Sequence, residues 1–222
     1  NPDQVMLVFA CDEPAPRLGM LDRFLVIAEK QNTPAVIVAN KVDLVGVERA
    51  QKIFGHYPGL GYEVLYTSAR SGLGLQELKA CLIGKVTLLT GPSGVGKSSL
   101  LNAIQPGLGL QVREVSQATG KGRHTTVARK MFPLQGGGYV ADAPGLKALA
   151  LWDVAPEELD GYFPELREIV AQCSFSDCTH THEPGCKVLQ AVQTGEVHSE
   201  RYRSYLRMRF GEMDRTFYMS AV

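Results

Sequence analysis

Eight residues, Gly91-Pro92-Ser93-Gly94-Val95-Gly96-Lys97-Ser98, constrain this chain more than any other stretch, because they meet the pattern G-x-x-x-x-G-K-[ST] at every fixed position. The pattern has meaning only where a strand runs into a helix. Lys85-Val86-Thr87-Leu88-Leu89-Thr90 is a β-branched and aliphatic run that delivers the loop, and Ser98-Ser99-Leu100-Leu101-Asn102-Ala103-Ile104 has helical apolar spacing behind it. Glycines at 91, 94 and 96 allow the backbone to curl with its N–H groups inward, so a phosphate meets hydrogen-bond donors and the positive end of a helix dipole together. Ser93, Val95 and Ser99 belong to the same cradle. Lys97 is expected to reach the β- and γ-phosphates of a nucleotide, and Ser98 to ligate Mg²⁺.

Upstream of this loop the chain already alternates. Val5-Met6-Leu7-Val8-Phe9-Ala10 is a continuous apolar run, as expected of a parallel strand buried on both faces. Apolar residues at 18, 21, 24, 25 and 28 predict a helix over 18–30, and Ala35-Val36-Ile37-Val38-Ala39 predicts the next strand. Strand, helix, strand implies an α/β fold, a three-layer sheet with helices on both faces and right-handed crossovers.

Ligands of open α/β sheets gather at the carboxyl ends of the strands. There, after 35–39, stands Asn40-Lys41-Val42-Asp43, the N-K-x-D pattern that reads guanine. A carboxylate at Asp43 can accept from both N1–H and the exocyclic amine of guanine, two donors that adenine does not present on that edge. Asn40 would bond the guanine edge and tether the phosphate loop, and the Lys41 stem would lie over the base plane. Thr67-Ser68-Ala69 follows another strand-like run, Glu63-Val64-Leu65-Tyr66, and matches the short motif whose main-chain N–H backs guanine, here at Ser68 and Ala69. The rival reading, an ATP-using enzyme with the same phosphate loop, conflicts with Asn40 and Asp43.

Beyond the phosphate loop, Ala118-Thr119-Gly120-Lys121-Gly122-Arg123-His124-Thr125-Thr126 is rich in glycine and cations, and Asp142-Ala143-Pro144-Gly145 is a D-x-x-G motif. Asp142 is expected to hold Mg²⁺ through a water, the Gly145 N–H to meet the γ-phosphate, and Thr125 or Thr126 to complete the Mg²⁺ shell. Such a loop orders with GTP and is released after hydrolysis. Leu146 stands where many GTPases carry a water-orienting glutamine, which makes His124 the nearest candidate for that task. In most GTPases the base motifs come last. Here Asn40 to Asp43 and Ser68-Ala69 precede Gly91, so the same sheet is circularly permuted.

Of five cysteines, Cys11 and Cys81 are isolated, whereas Cys173-x₄-Cys178-x-His180-x₅-Cys186 is a cluster with metal-ligand spacing. Three thiolates and one imidazole make a closed tetrahedral Zn²⁺ site, which is structural; on spacing alone His182 competes with His180. Helices are expected near Glu157-Glu158 and over 165–171. A last helix carries Arg201, Arg203, Arg207 and Arg209 with Tyr202 and Tyr205, a set suited either to phosphates and bases or to a solvated helix face. The 23 Lys and Arg against 23 Asp and Glu leave no net charge to draw the whole chain to nucleic acid, so binding of that kind needs a local patch. Apolar runs fall short of the ~20 residues that span a bilayer, and no signal peptide is seen, so a cytoplasmic protein is expected.

The permuted order, the phosphate loop, Gly122-Arg123-His124-Thr125-Thr126, Asp142-Ala143-Pro144-Gly145-Leu146 and the Cys₃His spacing together resemble the RsgA/YjeQ family of ribosome-small-subunit-dependent GTPases, over essentially the whole chain. The resemblance implies a GTPase domain over 1–153 and a small helical zinc domain over 154–222. It implies GTP hydrolysis to GDP and phosphate, and a role in maturing the small ribosomal subunit with that subunit and its rRNA as partners. It assigns zinc to Cys173, Cys178, His180 and Cys186. The family's N-terminal OB-fold has no counterpart here, which suggests a fragment, and a monomer is expected. The competing view is a zinc-stabilised RNA-binding protein in which GTP only sets conformation.

Overall fold

The computed structural model describes residues 2–108, 110, 131–142 and 154–211, and the chain divides into two compact units, one built from Asn1–Arg17 and Thr33–Ala148, the other from Leu18–Asn32 and Leu149–Val222.

The first unit is a six-stranded sheet in the order β3-β2-β1-β4-β6-β5, with β1 Gln4–Ala10, β2 Ala35–Asn40, β3 Glu63–Tyr66, β4 Val86–Thr90, β5 Met131–Pro133 and β6 Tyr139–Asp142. All neighbours pair in parallel except β5, which runs antiparallel to β6. β1 lies at the centre, and all seven of its residues are buried, which is why it reads as one apolar run. Successive side chains of a strand face opposite ways. Met6, Val8 and Ala10 therefore enter one cluster with Val36 and Val38 of β2, Leu78 and Leu82 of α3 (Leu75–Leu82), and Leu100 and Leu101 of α4 (Lys97–Ile104). Val5, Leu7 and Phe9 are buried on the opposite face. Each such side chain contributes about 1.5–3 kcal/mol on leaving water. A further helix, α2 (Val47–Phe54), buries Ala50 and Phe54.

The second unit is helical. It contains α1 (Leu18–Lys30), α5 (Pro164–Arg167), α6 (Lys187–Thr194) and α7 (Ser199–Phe210), with 3-10 turns at Pro156–Tyr162 and Val170–Gln172. The expected helix near Glu157 is thus a 3-10 helix, and that over 165–171 is one α-turn followed by a 3-10 turn. Val26 of α1, Phe163, Leu166 of α5, Val188 of α6, and Tyr202, Tyr205 and Leu206 of α7 share one core.

Arg201 neither faces phosphate nor stands on a solvated helix face. It is instead 1% exposed and joins three helices: its Nη1 lies 2.7 Å from Asp22 Oδ1 of α1, and its Nε 2.6 Å from Glu165 Oε1 of α5. Its guanidinium also lies 4.5 Å from the centroid of the Phe163 ring. Burial alone would lower the Arg201 pKa, but Asp22 and Glu165 outweigh it and push the value up. Tyr205 is fully buried and Tyr202 nearly so, which leaves Arg203 and Arg207 as the exposed cations of the α7 set.

Candidate functional site

In the first unit the site is built on strand ends. β4 stops at Thr90, the loop follows, and α4 begins at Lys97. Gly91 stands at φ 143°, and a Cβ there would lie 2.0 Å from the Val8 carbonyl oxygen of β1. Gly96 stands at φ 96°, and a Cβ there would lie 2.4 Å from Asn40 Nδ2. Any side chain at either place would push the loop off the strands that carry it. The Lys97 ammonium donates to the carbonyl oxygens of Gly91 and Pro92, both at 2.8 Å.

The same Asn40 connects the separated motifs. It is 1% exposed; Nδ2 donates to the Val95 carbonyl inside the phosphate loop at 2.8 Å, and Oδ1 accepts from the Thr67 hydroxyl at 3.2 Å. Residues 40, 67 and 95 come from the ends of β2 and β3 and from the loop after β4, so the permuted segments meet at the carboxyl ends of the parallel strands. Asp43 is exposed and its Oδ1 accepts from the buried Ser68 hydroxyl at 2.6 Å, while that hydroxyl accepts from the Ser71 N–H at 3.0 Å. Ala69 follows, half-buried. Lys41 adopts φ 62° and donates to the Glu13 carbonyl. Cys11, at the end of β1, has its thiol pushed up to about 12 by burial and then by the neighbouring Asp43 and Asp12 carboxylates, so it stays a neutral thiol.

β6 runs parallel to β4 with Asp142 opposite Leu89, two residues before Gly91. Ser93 is exposed, while Gly94, Ser98 and Ser99 are half-buried and Val95 is buried. His124, Thr125, Thr126 and Gly145 lie outside the described residues.

The second unit gathers Cys173, Cys178, His180 and Cys186, whose donor atoms all lie within 4.8 Å of one another. Zn–S bonds of about 2.3 Å in a tetrahedron set ligand sulfurs about 3.8 Å apart. Here Cys173 Sγ lies 4.0 Å from Cys186 Sγ, and His180 Nδ1 lies 3.7 Å from Cys173 Sγ and 3.4 Å from Cys186 Sγ. The donor set therefore fits a tetrahedral thiophilic ion. Burial pushes the Cys178 thiol up to about 12 and raises Cys186 as well, so three thiolates at this place require a cation to hold them. His180 is 1% exposed, whereas His182 is exposed and stands outside the cluster, its Nδ1 2.8 Å from the Thr181 hydroxyl.

Two acidic residues beside the cluster carry no motif of their own. Asp160 Oδ2 lies 3.2 Å from His180 Nε2. Burial pushes the Asp160 carboxyl up, but hydrogen bonds from His180 and the Gly161 amide outweigh it and hold it below the ordinary carboxylate range. Glu183 accepts from the N–H groups of Thr179, Thr181 and His182 at 2.7, 2.9 and 3.1 Å, knotting the loop between the second and fourth ligands. Burial opposes the charge there too, yet the Thr179 hydroxyl and the N–H groups of Thr179 and Thr181 set the Glu183 carboxyl far below its usual range. Glu183 sits within the ligand spacing and was open to notice; Asp160, 20 residues from His180, was not.

The sequence model of the RsgA GTPase family matches residues 1–152. The chain belongs to the RsgA GTPase family. Among RsgA proteins, the "Small ribosomal subunit biogenesis GTPase RsgA" of Gemmatimonas aurantiaca is 47% identical over 216 residues, which cover 97% of this chain and 70% of that relative. The protein of the same description from Moorella thermoacetica is 47% identical over 93% of this chain and 71% of its own length. The crystal structure of YjeQ from Thermotoga maritima superposes with a TM-score of 0.79 at 42% identity, covering 95% of this chain and 71% of that one. YloQ, described as a circularly permuted GTPase, superposes at 0.73 with 36% identity, covering 94% of this chain and 67% of that one. As an RsgA GTPase this chain is a GTP hydrolase, and its fold is a circularly permuted GTPase fold. Among the described residues no helix is long and apolar enough to cross a membrane.

Proposed function

We propose that this chain acts as a GTP-driven switch in late maturation of the small ribosomal subunit, working as a monomer in the cytoplasm and touching that subunit and its rRNA. The observation that carries the nucleotide side of the reading is the Asn40 amide bonded to Val95, which ties a base-reading motif to a phosphate loop 55 residues later. Asp43 would read guanine, with Lys41 along the base and Ser68 and Ala69 behind it; 91–99 would hold the phosphates through backbone N–H groups, and Lys97 would counter the β/γ charge. Ser98, second residue of α4, and Asp142, last residue of β6, would supply the hard oxygen donors that Mg²⁺ prefers. Thr125 or Thr126 would complete that shell, and the bound Mg²⁺ would neutralise charge developing between the phosphates.

Hydrolysis further needs an oriented water. Leu146 cannot hydrogen-bond, and we assign the task to His124, swung into place by the ribosomal partner. Nucleotide chemistry would then belong to 1–153 and zinc to 154–222, with Cys173, Cys178, His180 and Cys186 as structural ligands.

GTP turnover measured with and without small subunits tests the reading: stimulation is expected, and its absence would leave no ribosomal switch. His124→Ala should lose stimulated turnover by about 10²-fold or more while GDP affinity holds. Equal loss of subunit binding would make His124 a docking residue. Lys97→Ala should weaken GDP roughly tenfold or more, since a charge-assisted contact is worth about 1.5–3 kcal/mol. Unchanged affinity by calorimetry would sink the phosphate-loop assignment.

A further inference from the structure

The two nitrogens of His180 have different surroundings. Nδ1 faces the sulfurs, 3.4 Å from Cys186 Sγ and 3.7 Å from Cys173 Sγ, while Nε2 faces away from them, 3.2 Å from Asp160 Oδ2. A carboxylate offers only lone pairs, so a hydrogen bond between Asp160 and Nε2 requires the proton on Nε2. That leaves the lone pair on Nδ1, where the thiols converge. The Asp160 carboxylate is itself anchored, because its Oδ1 accepts from the Gly161 N–H at 2.8 Å.

The backbone beneath the ring is fixed by different groups. His180 stands at φ 61°, a left-handed conformation that a non-glycine residue holds only when its neighbours enforce it. Tyr202 Oη of α7 donates to the His180 carbonyl at 2.6 Å, Tyr205 Oη to the Thr179 carbonyl at 3.2 Å, and the Glu183 carboxylate accepts from the N–H groups on either side of His180. These contacts place the residue but do not choose between its nitrogens. Among the described residues, Asp160 alone touches the ring at Nε2 with a charge.

We infer that Asp160 is a positioning residue for the metal centre, holding His180 in the Nε2–H form so that Nδ1 is the ligand atom. This rests on the zinc reading given above. A carboxylate behind a ligating imidazole both fixes its orientation and raises its basicity, and losing it typically weakens metal binding about 10–100-fold.

The experiment uses the full chain loaded with one zinc, with Asp160→Asn and Asp160→Ala beside it and Tyr202→Phe as a comparison that removes the hydroxyl pinning the His180 carbonyl. Asn keeps the shape but has no charge and one accepting oxygen for two donors, the Gly161 N–H and Nε2–H; Ala removes the group. Zinc affinity is read by competition with a chelator, and long-range ¹H–¹⁵N spectra of the ring report which nitrogen carries the proton. Expected are Nε2–H with Nδ1 bound to metal in the parent, an affinity loss of about 10–100-fold in both Asp160 variants with displaced ring signals, and unmoved ring signals in Tyr202→Phe. A zinc-loaded parent bound through Nε2, or Asp160 variants with parental affinity and ring signals, would overturn this inference alone. Ring signals unmoved in the Asp160 variants while affinity falls as in Tyr202→Phe would reduce Asp160 to a packing role and also overturn it. A parent that holds no zinc would overturn the metal reading itself and this inference with it.

Discussion

Asp43→Asn is expected to turn base preference from guanine to xanthine nucleotides. Guanine presents two donors on the edge assigned to Asp43, and xanthine replaces the exocyclic amine by a carbonyl. The carboxylate is already oriented, since Ser68 donates to its Oδ1 at 2.6 Å and is held by the Ser71 N–H. An asparagine can keep the Ser68 bond through its own oxygen, which turns the amide donor toward the base. A polar site left unpaired by the wrong partner can discriminate by ~10⁴-fold or more, so most of the guanine selectivity should be lost and XTP should compete better than GTP. Folding should not change, because the side chain is exposed. The measurement is competition binding of GTP, GDP and XTP to both proteins. A variant that still prefers GTP would show that Asp43 does not read the base.

Removing zinc is expected to unfold the second unit. Structural zinc in small modules carries about 10–16 kcal/mol of apparent binding energy at neutral pH, which matches or exceeds the 5–15 kcal/mol by which whole domains are stable. Cys178 and Cys186 also belong to the apolar core with Phe163, Val188 and Tyr205, and Cys186 Sγ caps α6 by accepting from the Leu189 N–H at 3.5 Å. Ligand, core and helix start are thus the same atoms. Elemental analysis should find close to one zinc per chain, and chelation or Cys178→Ser should remove helical circular dichroism and expose the buried Tyr202 and Tyr205. Protein prepared without zinc yet fully helical, or Cys178→Ser with unchanged metal content, would defeat this.

Much of the sheet was legible because a parallel strand covered on both faces cannot hide: β1 and β2 are nearly continuous apolar runs, and β4 is a short run of β-branched and aliphatic residues. The edge strand β5 was not anticipated. It has three residues, and Met131 is 54% exposed, so neither length nor alternation marks it. In the site, glycine spacing and N-K-x-D announced the loops, but the hydroxyls of Thr67 and Ser68 that orient Asn40 and Asp43 were invisible as partners, being 27 and 25 residues away. Arg201 shows the limit most clearly. On α7 it shares the buried face with Ser204 and Tyr205, one turn on, and its carboxylate on α1 is 179 residues distant in the chain. A charged residue reads as exposed until such a partner is known. The Asp160 contact escaped notice for the same reason.

The membership of α1 in the helical unit means that the polypeptide is woven rather than strung: it passes from the first unit to the second after Arg17, returns at Thr33, and passes to the second again after Ala148. No single scission separates the units. A chain ending at 153 would retain α1 but strip its apolar face of the α7 and Phe163 core that Val26 shares, and would leave Asp22 without its guanidinium. A piece starting at 154 would lack α1 altogether, and Arg201 would keep one carboxylate of two. Both halves are therefore expected to aggregate or to recover solubility only when mixed, whereas independent soluble folding of the piece starting at 154 would show that α1 is dispensable to the helical core. For an enzyme whose nucleotide loops and metal module lie far apart in sequence, this threading makes inheritance of the two an all-or-nothing matter.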